Sequence, residues 1–124
     1  MKSPQALVAF ADPEQQKLIS VILSQCGFSP VIANSLKEVI AALAQRKLSL
    51  IFCGRELPDG TFHDVLVAAQ RTEKVPVVVA SRTAGWEEYF TALQQGAFDL
   101  IATPCRADEV RHVVSQLPRR LSAA

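Results

Sequence analysis

Long hydrophobic runs are missing from this chain of 124 residues, so nothing in it supplies the roughly 18–20 consecutive apolar residues of a membrane-spanning helix. Charge of one sign is missing as well. Thirteen Lys and Arg against twelve Asp and Glu leave a net charge of +1, which offers no footprint for nucleic acid and no acidic tail. The start Met1-Lys2-Ser3-Pro4 lacks the charged opening and apolar stretch of a secretion signal. Cysteine is scarce and odd in number: Cys26, Cys53 and Cys105 form no Cys-x-x-Cys pair. That makes a poor disulfide framework and a poor zinc site, and it points to reduced thiols in the cytoplasm. Phosphate-cradling glycine motifs are absent. His63 and His112 stand far in sequence from any Cys or Asp cluster, and no nucleophile–base pair is present. These absences argue against an enzyme and against a resident metal or cofactor.

What is present is globular: 49% of residues are hydrophobic and 20% charged, enough to bury one core. There is no internal repeat. Residues 1–124 read as one domain, with 118–124 a tail or the start of a linker.

The apolar pattern alternates between strands and helices. Ala6 to Ala11 is a short buried strand, and Asp12 with Pro13 behind it caps a helix whose apolar positions are Leu18, Ile19, Ile22 and Leu23. Gly27 stops that helix. Pro30 to Ala33 is a second strand. Ser35 and Glu38 form a capping box for a helix with Leu36, Val39, Ile40 and Leu43 inward. Leu48 to Cys53 is the third strand, followed by the turn Pro58-Asp59-Gly60 and a helix from Phe62 to Arg71. Val75 to Ala80 is a fourth strand, Ala84 to Gln95 a helix ended by Gly96, and Phe98 to Ala102 a fifth strand. Ala107 to Leu117 is the last helix, stopped by Pro118. Five strands alternating with five helices imply an α/β, doubly wound, five-stranded parallel sheet with right-handed crossovers. The functional crevice of such a sheet lies beyond the carboxyl ends of its strands, here Ala11-Asp12, Cys53-Gly54-Arg55, Ser81-Arg82 and Thr103-Pro104.

Three segments carry a family resemblance. They are Leu48-Ser-Leu-Ile-Phe-Cys-Gly-Arg-Glu-Leu-Pro-Asp-Gly60, Val75-Pro-Val-Val-Val-Ala-Ser81 and Gly96-Ala-Phe-Asp-Leu-Ile-Ala-Thr-Pro104. In this order and at these spacings the chain resembles the receiver domains of bacterial two-component response regulators over nearly its whole length. The resemblance implies a flavodoxin-like (βα)5 fold with strand order 2-1-3-4-5. It also implies a signalling role in a phosphorelay.

The same resemblance implies an acidic pair that binds magnesium, an aspartate that accepts a phosphoryl group, a hydroxyl that contacts it and a lysine that pairs with it. Gly54 stands at the aspartate's position, Phe10 and Ala11 at the acidic pair, and Thr103 at the lysine, with Pro104 retained after a bond that is often cis. Ser81 matches the hydroxyl; its other reading is a serine that bonds the strand end or caps the next helix. Asp12 is the one acid left for a metal, or an ordinary helix cap. Leu100 replaces an aromatic. The expected function is therefore that of a degenerate receiver, or pseudoreceiver, that binds a protein partner or an attached output domain without phosphorylation. It takes no cofactor.

Two other functions stay open. One is phosphorylation of a substitute acid, Glu56 or Asp59. The other is an anion or small-ligand sensor built on Arg55 and Arg82, which otherwise point to solvent. A homodimer through the face of helix 4, strand 5 and helix 5 is a further expectation, carried by Trp86, Tyr89, Asp99, Arg106 and Arg111. Trp86 is either exposed there or packed on its own domain. Cys53 and Cys105 share the crevice rim and permit a thiol role, with Cys53 the buried one and Cys105 the exposed one.

Overall fold

The computed structural model describes residues 3–72 and 74–117. The expected stop at Pro118 and the tail from 118 to 124 lie outside the described residues, as do Met1 and Lys2. Five parallel strands form one sheet: β1 (Gln5–Ala9), β2 (Ser29–Ala33), β3 (Leu48–Gly54), β4 (Val77–Ser81) and β5 (Asp99–Ala102). Their order is β2-β1-β3-β4-β5, the order that the resemblance implies. The helices are α1 (Pro13–Gln25), α2 (Leu36–Gln45), α3 (Phe62–Arg71), α4 (Trp86–Gln94) and α5 (Ala107–Ser115).

Strand and helix ends differ from the sequence reading by at most two residues. β1 stops at Ala9 because Phe10 and Ala11 leave the ladder for the cap of α1, and β4 starts late, after Pro76, which has no N–H to give. The segment between β3 and α3 is more than a turn. Glu56–Leu57 and Gly60–Thr61 pair antiparallel, and the Asp64 carboxylate accepts the Thr61 N–H at 3.0 Å to open α3.

The sheet divides the core in two. On one face Leu7, Ile51, Cys53 and Val79 pack with Val39 of α2, Val65 of α3 and Ala92 of α4. On the other, Val8, Phe10, Phe52 and Ala80 pack with Ile19 and Leu23 of α1 and Val110 of α5. β3 is the centre of both: Leu50, Ile51, Phe52 and Cys53 are fully buried, as a strand covered on both faces must be. Two positions expected inside are outside. Ile40 is 51% exposed and Leu18 37%, since each lies one step round its helix from the stripe that meets the sheet.

The helix termini follow their capping chemistry. Asp12 caps α1 by accepting the Glu14 N–H at 3.0 Å. Ser35 accepts the Glu38 N–H at 3.1 Å, but Glu38 returns to the Asn34 N–H rather than closing the expected box on Ser35. Gly27 and Gly96 both take positive φ, +94° and +107°, at the helix ends where glycine was expected. Among the described residues, no helix is long and apolar enough to cross a membrane.

Candidate functional site at the carboxyl edge of the sheet

β1, β3 and β4 all end at one edge, and the connections after them line a cleft of about 420 Å³. Phe10, Ala11 and Asp12 come from the end of β1, Gly54, Arg55 and Glu56 from β3, Ser81, Arg82 and Thr83 from β4, and Thr103 from beyond β5. The crevice thus gathers most of the residues singled out at the strand ends, but not Cys53 or Pro104.

Gly54 is the floor of this cleft. It lies beside Ala80 in the ladder, and a Cβ placed on it would stand 3.2 Å from the Phe10 ring. That is closer than ordinary van der Waals contact, so a side chain at 54 has to move the ring. Phe10 itself is only 3% exposed, within the core face that includes Phe52 and Ala80. Its carbonyl accepts from Gln16 Nε2 at 2.6 Å, and the same amide bonds Asn34 Oδ1. Glycine at 54 and phenylalanine at 10 therefore fill one space between them.

The upper wall is polar and already partnered. Ser81, buried at the end of β4, accepts the Thr83 N–H at 3.2 Å and donates to Glu88 Oε1 at 2.9 Å. Thr83 Oγ1 also reaches Glu88 Oε1, at 3.3 Å. Arg55 donates to Thr83 Oγ1 at 3.1 Å and pairs with Glu88 Oε2 through Nε at 3.3 Å. Arg55, although exposed, thus meets an acid of its own chain; Arg82 is exposed as well. The Thr103 N–H donates to the Ser81 carbonyl at 3.0 Å, and the Thr103–Pro104 peptide is cis. Glu88 was not singled out in the sequence. Its only signal there was its place in the first turn of α4, where an acid is ordinarily a helix-terminus residue.

The acids near the cleft are either bonded to backbone N–H groups or exposed. Asp12 is the cap of α1 and Glu56 is exposed on the hairpin. Asp59 lies on the hairpin turn and accepts the N–H groups of Leu36 and Lys37 at 2.6 and 3.0 Å, holding the start of α2. The Leu36 bond holds its carboxyl below the ordinary range, with partial desolvation opposing and the Lys37 bond adding to it. No three His, Cys, Asp or Glu among the described residues stand together as a metal-holding group.

The thiols need a correction. Cys105 is buried at 5% exposure, not exposed, because it turns into the α1–α5 side of the core. Burial pushes its pKa up to about 11, with Glu109 adding, and pushes Cys53 up to about 12. The two cysteines belong to opposite faces of the sheet.

The helix 4 face also departs from expectation in part. Trp86 is 72% exposed and stacks on Phe90 at 5.0 Å between ring centres, while Tyr89 meets Trp86 edge-on at 6.0 Å. Asp99 and Leu100 line a groove with Asp108, Glu109 and His112, and Arg106 pairs with Asp108. Arg111 belongs elsewhere. It donates to Gln25 Oε1 at 3.1 Å, because its position on α5 faces α1 rather than β5.

A sequence model of the response regulator receiver domain matches residues 7–115. The chain belongs to that family. It is 26% identical over 116 residues to the response regulator protein PilR of Pseudomonas aeruginosa, covering 93% of this chain and 26% of PilR. It is 30% identical over 92 residues to the regulatory protein LuxO of Vibrio cholerae, covering 73% of this chain and 20% of LuxO. The chain thus spans about a quarter of the first of these curated relatives and a fifth of the second. In fold it matches the receiver domain of a putative LuxO repressor from Vibrio parahaemolyticus, with a TM-score of 0.87 at 20% identity over 98% of this chain and 94% of that one. A two-component response regulator from Clostridium difficile gives 0.86 at 21% identity, over 95% and 98%. Receiver domains are signalling modules, and this one has the five-stranded fold and strand order of the family.

Proposed function

We propose that this receiver domain signals without accepting a phosphoryl group at the end of β3, as a pseudoreceiver that works by protein–protein contact. The observation that carries this reading is Gly54, a residue with no side chain, at the position that the family resemblance assigns to the phosphoacceptor, with the Phe10 ring against it. Three features support it. Ala11 and Phe10 offer no carboxylate for magnesium, a hard cation that seeks oxygen ligands. Thr103 brings no positive charge to pair with phosphate. Ser81 spends its hydroxyl proton on Glu88.

The partner is a protein or an attached output domain, in the cytoplasm. The contact surface is the face of α4 and β5, with Trp86, Tyr89, Asp99 and Arg106 as its anchors and a second copy of the chain as one candidate occupant. Exposed aromatic groups of this kind are the usual carriers of binding energy. Incubation with acetyl phosphate and magnesium, read by intact-mass spectrometry, tests the reading. The expected mass is unchanged; an adduct of one phosphoryl group overturns it. Neither substitute acid is favoured by its geometry: Asp59 is committed to the start of α2, and Glu56 is exposed on the hairpin at the cleft's rim.

A further inference from the structure

Ser81, Thr83 and Arg55 come from two different strand ends, yet their donors converge on a single carboxylate. Ser81 Oγ and Thr83 Oγ1 both reach Glu88 Oε1, at 2.9 and 3.3 Å, and Arg55 Nε reaches Oε2 at 3.3 Å. The donors are themselves aligned: the Thr83 N–H fixes Ser81 Oγ, and Arg55 Nη1 fixes Thr83 Oγ1. Two hydroxyls and a guanidinium held this way make an oxyanion site. Glu88 is the third residue of α4, and the cap before it is Gly85, which has no side chain to offer. The glutamate at this position often turns back to the cap's own N–H. Here it turns to the sheet edge instead, and its side chain is only 16% exposed.

We propose that Glu88 is a resident, intramolecular ligand of this oxyanion site: it pins the first turn of α4 to the ends of β3 and β4 and keeps free anions out. The consequence reaches the aromatic face, because Trp86 and Phe90 flank Glu88 on the same helix and move with its first turn. The proposal rests on the reading that no phosphoryl group occupies the cleft. It deepens that reading by naming what satisfies the donors in its place.

The test compares the wild-type chain with Glu88→Ala and Glu88→Gln, using inorganic phosphate as the probe. Removing the carboxylate frees the three donors, so phosphate at millimolar concentration is expected to raise the Tm of Glu88→Ala while leaving the wild type unmoved. Amide exchange over Arg82 to Phe90 is expected to rise about tenfold in Glu88→Ala, the scale of one lost charge-assisted hydrogen bond. Glu88→Gln, which keeps an acceptor but loses the charge, gives a smaller rise. Exchange in β1 and β3 stays as it was. Equal phosphate response in wild type and Glu88→Ala, or unchanged exchange over α4 in both variants, overturns the proposal. Those failures leave the wild-type acetyl phosphate result untouched, so the two claims fail separately.

Discussion

Gly54 and Phe10 share one space, which makes the absence of a side chain at 54 a packing fact as well as a chemical one. An aspartate at 54 brings its Cβ to 3.2 Å from the Phe10 ring, which must give by a few tenths of an ångström within its core face. Gly54→Asp is therefore expected to cost about 1–3 kcal/mol of stability and to restore no phosphorylation. Denaturant unfolding measures the first part, and a cycle with Phe10→Leu should show a favourable coupling between the two changes. Asp59 gives a pH signature. Its carboxyl is held below the ordinary range in the fold, mainly by the Leu36 N–H, so it contributes stability above its unfolded pKa and loses it as pH falls through the lower folded one. Asp59→Asn should be less stable than wild type at neutral pH, and the gap should close in acid. The thiols follow from burial. With Cys53 raised to about 12 and Cys105 to about 11, both should resist a thiol reagent in the folded protein and react when it unfolds.

The elements were largely legible in the sequence because their signals are local. Asp12-Pro13, Ser35, Gly27 and Gly96 are caps and stops whose chemistry acts within a turn. The all-apolar β3 could only be a strand buried on both faces. What the sequence hid depends on rotation and on long-range contact. Ile40 and Arg111 look equally suited to two faces of their helices, and only packing decides between them. Glu88 lies seven residues from Ser81 and thirty-three from Arg55 in sequence, so no spacing rule joins the three. The state of Trp86 likewise depended on what α4 packs against. It stays in solvent because Ala92, not the aromatics, is the residue α4 buries. Replacing Trp86 and Phe90 by alanine should leave the stability within about 1 kcal/mol of wild type. The same change should abolish partner binding or self-association, which sedimentation of the full-length protein would show.

At the scale of the whole molecule, a receiver frame is kept while the crevice it was expected to serve is differently furnished. The sheet order and the strand-end cleft place the strand ends as in the family fold. The cleft then receives a glycine, a buried ring and an internally paired glutamate, none of which asks for an external ion. On the proposed reading such a domain would transmit through the surfaces that its fold positions, and α4 carries both Glu88, bonded to Ser81, and the aromatic face. The most direct test of this account is a titration of the wild-type chain with magnesium and beryllofluoride, followed residue by residue in nitrogen–proton NMR spectra. No shift at Gly54, Arg55, Ser81, Thr83 or Trp86 is the predicted result. A saturating, magnesium-dependent shift of those resonances would contradict it.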